Sequence, residues 1–530
     1  MPQAIIVGSG PAAVGTALAL SARADLRITV IDLGLRLETE HQDVIETLSS
    51  LAPEQWPAGL VARVAAQPVT SSVRGLPEKR AYGSDFPFRD EGQLDNLSTE
   101  GDVNRLLVSA AYGGFSTVWG SQVMPFTAAT FRSWPVSDVD MKAHYQAILE
   151  TIPFAGEVDD LADLFPLIAA AKPLPDISAR SEKVLAAYSR HRSKLRSFGV
   201  LLGRARLAFD SPNCVRCGLC MTGCPFSLIY SAATTMDQLR ASGRVTYQGG
   251  LMALRVGEEG DRPWVEAKEL RGGRLRRFEA DRVFLASGAF GTTRLVMGSQ
   301  DRFDQDMTMQ ESVQFTLPFV SMRPTVDPRT EQLFTLNQFN MVVRLDEQGR
   351  DLSQLHFYTY NPAFSAALPG GLRWQGARFL TTAVLQRLSF AIGYLPSWVS
   401  PRLRLRARPS RPGEVTELRV WREDPRWHRN RTLRRVLSRV ARASAPLDLW
   451  PVLPELHFAA GGKSYHWGSS FPHSTRASST STDTLGRTDR WRRVHLVDAS
   501  VFPDVPATTF TLTIMANAHR IATGALAEAW

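Results

Sequence analysis

The four cysteines of this chain lie together and are followed by a proline: Cys214, Cys217, Cys220 and Cys224. Their spacing, C-x2-C-x2-C-x3-C-P, is typical of short runs whose thiolates ligate an iron–sulfur cluster. We expect a [4Fe–4S] cluster because four thiolates are available, and a [3Fe–4S] form stays open. A structural zinc ion, a disulfide and buried cysteines without a ligand are the alternatives. Zinc usually takes two separated ligand pairs, and the cytoplasm disfavours disulfides.

A second candidate site lies at the N-terminus, in the sequence GSGPAA at residues 8–13. The pattern around it predicts a strand at 4–7, a helix at 14–22 and a strand at 26–31. Gly8 permits a tight turn, Gly10 lets the backbone approach a pyrophosphate, and Ala13 allows close packing of helix on strand. The helix N-terminus offers N–H groups to phosphates, and Asp32 accepts hydrogen bonds from ribose hydroxyls. This βαβ unit predicts a dinucleotide site and leaves NAD and FAD both open.

Length and charge limit the class of protein. A chain of 530 residues predicts at least two domains, and 44% hydrophobic with 21% charged residues is typical of a folded soluble protein. No leader-like segment precedes the first predicted strand, so we expect a cytoplasmic protein.

The net charge of +9 includes many arginines between residues 402 and 442. These favour a solvated surface, while an anionic substrate, membrane headgroups (a peripheral contact) or an acidic redox partner stay open. Nucleic acid is not expected, because no recognition motif accompanies the charge.

Four further segments carry a family resemblance: YGGFSTVWG at 112–120, VFLASGAFGTT at 283–293, VHLVDASVFP at 494–503 and TFTLTIMA at 509–516. Together with the N-terminal turn, and in this order along nearly the whole chain, they resemble the glucose–methanol–choline (GMC) flavoprotein oxidoreductases. The likeness is to the sugar-dehydrogenase branch, with an added ferredoxin-type cysteine loop. The resemblance implies that the dinucleotide is FAD.

The same segments imply which residues contact the cofactor. The glycine-rich segment would pass along the flavin with Trp119 as a wall, and a helix beginning near Thr511 would aim its positive end at the flavin pyrimidine. We expect the hydroxyls of Thr511 and Thr513 to cap that helix. The full set of expected FAD contacts is Gly8, Gly10, Ala13, Asp32, Gly113, Gly114, Ser116, Trp119, Gly288, Asp498, Ala499, Thr511 and Leu512.

His466, in the sequence SYHWGSS at 464–470, is the expected catalytic base. It resembles the histidine of an H-x-G-G-T form in which imidazole takes the substrate hydroxyl proton while hydride leaves the carbinol carbon. Tyr465 is an alternative, because a shift of one residue places it at the histidine of the H-x-x-G-T form. Thr509 stands where relatives carry Asn or His, and threonine can hydrogen-bond a hydroxyl but is no general base. Three other histidines, His473, His495 and His519, are expected to be structural.

These sites require a fold of class α/β plus α+β. We expect a discontinuous Rossmann-like FAD-binding domain and a substrate domain built on an antiparallel sheet. The predicted division is FAD-binding domain at 1–205, 231–300 and 456–530, cysteine loop at 206–230, and substrate domain at 301–455. Alternating runs at 338–345 and 402–406 predict strands of that sheet, and a helix is predicted at 431–443.

The function expected from the resemblance is a FAD-dependent dehydrogenase acting on a CH–OH group of a sugar, glycoside or other alcohol. Electrons would leave through the cluster to an external protein or quinone. One alternative is an oxidase or flavin-dependent isomerase with a structural cysteine loop. Another is a non-catalytic electron-transfer subunit, for which Thr509 is the clue.

Overall fold

The computed structural model describes residues 1–66, 79–101, 103, 106–361, 378–424, 426–462 and 464–530. Its strands are β1 Gln3–Val7, β2 Arg27–Ile31, β3 Leu97–Thr99, β4 Val200–Arg204, β5 Val245–Gln248, β6 Leu251–Glu259, β7 Arg262–Glu269, β8 Leu275–Glu279, β9 Arg282–Leu285, β10 Asp306–Glu311, β11 Gln314–Val320, β12 Phe339–Arg344, β13 Leu352–Tyr358, β14 Leu388–Tyr394, β15 Arg402–Arg408, β16 Glu417–Glu423, β17 Trp450–Pro451, β18 His457–Phe458, β19 Trp467–Gly468 and β20 Val494–Leu496. Its α-helices are α1 Pro11–Leu20, α2 Thr39–Ser49, α3 Ala58–Val64, α4 Ala128–Phe131, α5 Asp138–Thr151, α6 Ala179–Arg190, α7 Arg192–Ser197, α8 Ala232–Ala241, α9 Gly288–Ser299, α10 Arg378–Leu385, α11 Arg426–Leu447 and α12 Thr511–Leu526.

A five-stranded parallel sheet forms the Rossmann-like part, in the order β20-β9-β1-β2-β5. Its central strand β1 is an apolar run that is buried on both faces, as parallel strands covered by helices require. Helix α1 begins at Pro11, earlier than the predicted helix at 14–22, because proline suits the first helical position and lacks only an N–H that is unpaired there anyway. The predicted βαβ unit is therefore present.

A large antiparallel sheet forms the second part, in the order β17-β11-β14-β13-β12-β4, with β18 also pairing with β11. Its side chains alternate between two faces, as a period of two demands. On one face Phe315, Phe357 and Ala391 pack into a core with helices α6 and α11. On the other face Thr316 and His356 line a cavity. The predicted strand at 338–345 is found as β12 of this sheet, and the predicted helix is found with wider bounds. The run at 402–406 is also a strand, but its expected place in the same sheet is wrong, because it forms β15 of a different one.

The arginine-rich strand β15 lies in a separate sheet of order β19-β10-β15-β16-β3, whose apolar face joins the core of the parallel sheet. Its charged face is paired within the protein. Arg406 binds Asp306 at 2.6 Å and Arg408 lies 3.6 Å from Glu417, while Arg406 also packs over the ring of Trp421. Arg406 and Arg408 therefore have acidic partners within the protein itself.

The fold class predicted from the sequence, α/β plus α+β, is confirmed. The large sheet nevertheless takes β4 and β18 from outside residues 301–455, so its strands cross the expected limits. The division into domains stays a prediction. Among the described helices, none is both long and apolar enough to span a membrane.

Helices α1 and α12 touch backbone to backbone. A Cβ atom added to Gly15 would lie 2.2 Å from the carbonyl oxygen of Met515, which is far closer than atoms pack. Only glycine fits this crossing, and the two helices pack at a separation that a methyl group would increase. Gly59, in α3, has nothing within 4 Å of the same added atom.

Gly15→Ala should lower the free energy of unfolding by about 1–3 kcal/mol, because the added methyl group forces α1 and α12 apart. Gly59→Ala is the matched control and should raise stability by about 0.5–1 kcal/mol, since alanine is the better helix former. Thermal midpoints of the purified variants measure both changes. Equal shifts for the two variants would contradict the close crossing.

Candidate active site

A cavity of about 1010 Å³ is lined by residues from both the parallel sheet and the large antiparallel sheet. Most of the residues expected from the sequence meet there: Gly8, Gly10, Asp32, Gly114, Ser116, Trp119, Gly288, His466, Asp498, Ala499, Thr509 and Thr511. Three others lie behind its wall: Ala13, Gly113 and Leu512. The volume is at the upper end of small-molecule sites, which suits a large cofactor together with a substrate.

The two glycines of the N-terminal turn have different surroundings. Gly8 has a φ of 109°, and a Cβ there would lie 2.5 Å from the carbonyl oxygen of Ala286, so the fold itself requires glycine. A Cβ on Gly10 would meet only the carbonyl oxygen of Gly113, at 4.0 Å. The space beside Gly10 is thus open to the cavity, and no side chain caps α1, which begins next to it. Open space beside free helix N–H groups is the geometry of a phosphate cradle.

Asp32 lies at the end of β2 on the cavity wall. Its Oδ2 accepts hydrogen bonds from the hydroxyls of Ser9 at 2.5 Å and Tyr247 at 3.0 Å. Burial raises the pKa of Asp32 to about 6, although both hydrogen bonds act in the opposite direction. Hydroxyl donors of a ribose would stabilise this carboxylate further, because hydrogen bonds to the charged form lower a carboxyl pKa.

The glycine-rich segment is tied to the N-terminal turn. The Gly113 N–H donates to the Ser9 hydroxyl at 2.9 Å, and the Ser116 hydroxyl donates to the Gly113 carbonyl at 2.6 Å. The indole N–H of Trp119 donates to the Tyr230 carbonyl at 2.7 Å, which fixes the ring at the wall. Gly113 supports the turn from behind, because a Cβ there would strike Ala233.

Asp498 joins the ends of β20 and α9. Its Oδ2 accepts from the Thr292 hydroxyl at 2.5 Å and its Oδ1 from the Ser500 N–H at 3.0 Å. The N–H of Gly288 is a further donor to this carboxyl group. Burial raises the pKa of Asp498 nonetheless. The carboxylate therefore holds the first turn of α9 against the cavity, which Gly288 and Ala499 line.

The expected threonine caps of the C-terminal helix are wrong. The cap position of α12 is Phe510, and no side chain hydrogen-bonds to its first turn. Thr511 is the first helical residue, and the Thr513 hydroxyl pairs with the Tyr145 hydroxyl at 2.8 Å. Because no side-chain hydroxyl accepts a hydrogen bond from the N–H groups of the first turn, these groups stay available to a ligand at the cavity edge.

His466 is buried at the cavity wall, where its ring stacks on Tyr394 with centroids 4.4 Å apart and packs against Phe510 at 4.5 Å. Its Nδ1 has no hydrogen-bond partner among the described residues. Burial lowers the pKa of His466 to about 3, so the imidazole is neutral at ordinary pH. The Thr509 hydroxyl, also on the cavity wall, has no partner there either.

The three histidines expected to be structural are hydrogen-bonded. His473 contacts the Asp483 carbonyl at 2.7 Å, His495 contacts the Leu485 carbonyl at 2.8 Å, and His519 contacts His144 at 2.8 Å. Tyr465, the alternative to His466, also lines the cavity, and its ring meets that of Phe115.

Several lining residues were not expected from the sequence. Three of them, His356, Tyr358 and Tyr394, lie on the large sheet and form a polar and aromatic wall together with Gln122, which follows the glycine-rich segment. Alternation in strands β13 and β14 was the available signal, but it does not tell which of the two faces meets a cavity. Lys79, another unexpected lining residue, donates to the Trp119 carbonyl at 3.3 Å, and burial lowers its pKa to about 8.

The cysteine run lies next to this cavity, since Met221 lines it. None of the four cysteines forms a disulfide. The N–H of Arg216 approaches the Cys214 sulfur at 3.4 Å, and the N–H of Thr335 approaches that of Cys220 at 3.3 Å. Burial raises the pKa of all four thiols. In the described residues, no group of three or more His, Cys, Asp and Glu side chains is arranged to hold a metal ion.

Comparison with known proteins adds a structural likeness. No protein-family model matches the sequence, and no curated protein matches it significantly. The fold is similar to the crystal structure of pyridoxine 4-oxidase from Mesorbium loti, with a TM-score of 0.61 and 14% identity over 100% of both chains. At this identity the likeness establishes the fold alone. It agrees with the Rossmann-like and antiparallel parts described above.

The two turn glycines give a test of the dinucleotide cradle. Gly10→Val should lower FAD affinity by about tenfold or more without loss of folding, because the new side chain fills the open space beside the helix N-terminus. Gly8→Ala should instead lower the thermal midpoint, since its methyl group meets the Ala286 carbonyl. Flavin absorbance after gel filtration and thermal melts separate the two effects. Full FAD binding by Gly10→Val would exclude this cradle.

Proposed function

We propose that this protein is a GMC-type, FAD-dependent dehydrogenase that oxidises a CH–OH group of a sugar, glycoside or other alcohol. The observation that carries the proposal is His466: a neutral imidazole with an unpaired nitrogen where the dinucleotide cavity meets the wall of the large sheet. The motif order along the chain and the likeness to pyridoxine 4-oxidase, named for an oxidase reaction, support it.

The proposed role of each residue follows from its position in the cavity. Gly8, Gly10 and Asp32 would hold the cofactor's pyrophosphate and ribose, and the N-terminus of α12 would stabilise negative charge on its ring system. FAD, when bound, supplies the acceptor for the hydride of the substrate carbon. His466 takes the hydroxyl proton, so that the C–H and O–H bonds break and a carbonyl product forms. Thr509 donates or accepts a hydrogen bond at the hydroxyl and moves no proton.

We also propose that Cys214, Cys217, Cys220 and Cys224 hold one iron–sulfur cluster, with [4Fe–4S] preferred. Their spacing, the N–H groups that approach two of the sulfurs and the contact of Met221 with the cavity support it. Thiolates of such a cluster bind different iron atoms, so they need not converge on one point as ligands of a single ion do. Such a cluster would pass electrons singly to an external protein or quinone in the cytoplasm, the location expected from the sequence.

A second candidate is a flavin oxidase in which the cysteine loop is structural. The similar fold of a protein named as an oxidase favours it. A dehydrogenase leaves the flavin reduced when air is admitted, whereas an oxidase forms hydrogen peroxide. A non-catalytic subunit would show no flavin reduction by any alcohol.

His466→Ala should slow anaerobic flavin reduction by about a hundredfold or more while FAD stays bound, because the proton acceptor is lost. His191→Ala, at an exposed position after α6, is the matched control and should reduce flavin at the wild-type rate. Stopped-flow absorbance with a panel of sugars and simple alcohols measures the rate. Near-normal reduction in His466→Ala would remove this residue from the mechanism.

Protein purified without oxygen should contain iron and acid-labile sulfide in a fixed ratio to FAD. Replacement of Cys220 by serine should remove most of the iron and the paramagnetic signal of the reduced protein, because one thiolate ligand is lost. Ser242→Ala, in the turn after α8, is the control and should keep both. Flavin without iron in the wild-type protein would overturn the cluster.

A further inference from the structure

A polar pair is distinct from His466 and lines the same cavity: His356 lies on β13 of the large sheet, and Gln122 lies in the segment after the glycine-rich turn. Gln122 is 4% exposed and His356 is 3% exposed, and both line the cavity. The Gln122 Nε2 donates to Asn340 Oδ1 at 3.0 Å and lies 3.4 Å from His356 Nε2. The Gln122 Oε1 has no hydrogen-bond partner among the described residues. Because buried polar atoms are nearly always paired, this acceptor indicates a donor supplied by a ligand.

The surrounding strands indicate that this pair does more than complete the cavity wall, because its unpaired polar atoms destabilise the fold. Asn340 is the register partner of His356 on β12, and its Nδ2 also has no partner in the part of the chain that is described. On the opposite face of the same strands, side chains such as Leu355 and Phe357 pack into an apolar core. An unsatisfied buried amide destabilises a fold, so a bound ligand that pairs with it offsets this loss.

The pair lies within reach of a molecule bound at His466. The Tyr394 ring stacks on His466 with centroids 4.4 Å apart, and the same ring lies 5.2 Å from that of His356. The two imidazoles are close enough that His466, after burial, is the second cause that lowers the pKa of His356, to about 3. One small substrate can therefore place its reacting carbon at His466 and another group at the pair.

The chemistry of that other group follows from charge. Burial lowers the pKa of His466, and burial together with His466 lowers that of His356; no carboxylate, lysine or arginine is among the causes. The charged side chains that line the cavity have partners elsewhere: Asp32 binds Ser9, Lys79 binds the Trp119 carbonyl, Arg294 binds the Thr416 carbonyl and Asp498 binds Thr292. An uncharged wall rejects ammonium and carboxylate groups, because neither would recover its lost hydration.

We infer that Gln122 and His356 form a subsite that binds a second, uncharged hydroxyl group of the substrate, remote from the oxidised carbon. A hydroxyl donates to the Gln122 Oε1 and accepts from an N–H of the neutral imidazole, which matches both residues. This inference rests on the proposed function and makes the substrate a neutral diol or polyol. The two residues set specificity and take no part in hydride or proton transfer.

The test uses FAD-loaded protein and neutral alcohols in pairs that differ by one hydroxyl: D-glucose and its monodeoxy analogues, and hydroxybenzyl alcohols and benzyl alcohol. Affinity is measured by calorimetry on protein reduced with dithionite, in which hydride transfer cannot proceed. Wild type should bind the member with the extra hydroxyl about tenfold or more tightly in at least one pair. Gln122→Met and His356→Leu should each bring that ratio to near one.

Controls separate this subsite from general damage. Gln146→Met, on the exposed face of α5, is matched to Gln122→Met and should keep the wild-type ratio. His356→Gln retains an amide near the position of Nε2 and should restore part of it. If His356→Leu does not fold, Gln122→Met decides the question alone. Preferred binding of choline or glycolate over the neutral diols would overturn the subsite.

Failure of the two proposals is distinguishable. Flavin that no alcohol reduces in wild type overturns the proposed function, and the subsite with it. Flavin that is reduced, with a hydroxyl preference unchanged in both Gln122→Met and His356→Leu, overturns the subsite and leaves the proposed function standing.

Discussion

The contact between α1 and α12 at Gly15 is the constraint on which the site depends. Because glycine lets the two backbones touch, the helix that begins at residue 11 and the helix that begins at residue 511 lie side by side. The N-termini of both line the same cavity through Ala12 and Thr511. Two positive helix ends from opposite ends of the chain are thereby directed at one ligand, which suits an anionic dinucleotide.

The second constraint is the low polarity around His466. Tyr394 and Phe510 exclude water from the ring, and burial rather than a nearby charge keeps it neutral. A neutral imidazole in such surroundings accepts a proton only together with a step that offsets the new charge. In the function proposed above, hydride departure to the flavin would be a step of this kind, since the acceptor would become negative as the imidazole becomes positive. Under that proposal, the burial of His466 would favour coupled loss of proton and hydride.

The sequence predicts those parts of the site in which the local backbone determines the chemistry. The turn at Gly8 and the acid at residue 32 are recognisable because a tight turn, a close backbone approach and a strand end each demand a residue type. The antiparallel wall could be predicted only as strands, because alternation identifies two faces without saying which one meets the cavity. Gln122 carries no local signal at all: it follows the glycine-rich segment, and its role depends on contacts with Asn340 and His356, more than two hundred residues away. The expected threonine caps failed for a related reason, since Tyr145 on α5 takes the Thr513 hydroxyl.

Some positions of the chain are fixed by backbone contacts, and others only line the cavity. This difference explains how a chain only 14% identical to pyridoxine 4-oxidase has a similar fold over its whole length. At Gly8 and Gly15 an added Cβ would strike a backbone carbonyl, so substitution there moves whole elements. At the cavity face of β13 and β14 a side chain needs only to fit a pleated wall, so its polarity can change without moving the strands. Thr509 belongs to the second kind, because its hydroxyl faces the cavity and has no hydrogen-bond partner among the described residues. A residue such as Thr509, which supports no other part of the fold, can be replaced by another residue type without moving the backbone. Polar contacts that it does not make to a ligand can then come from side chains of the large antiparallel sheet.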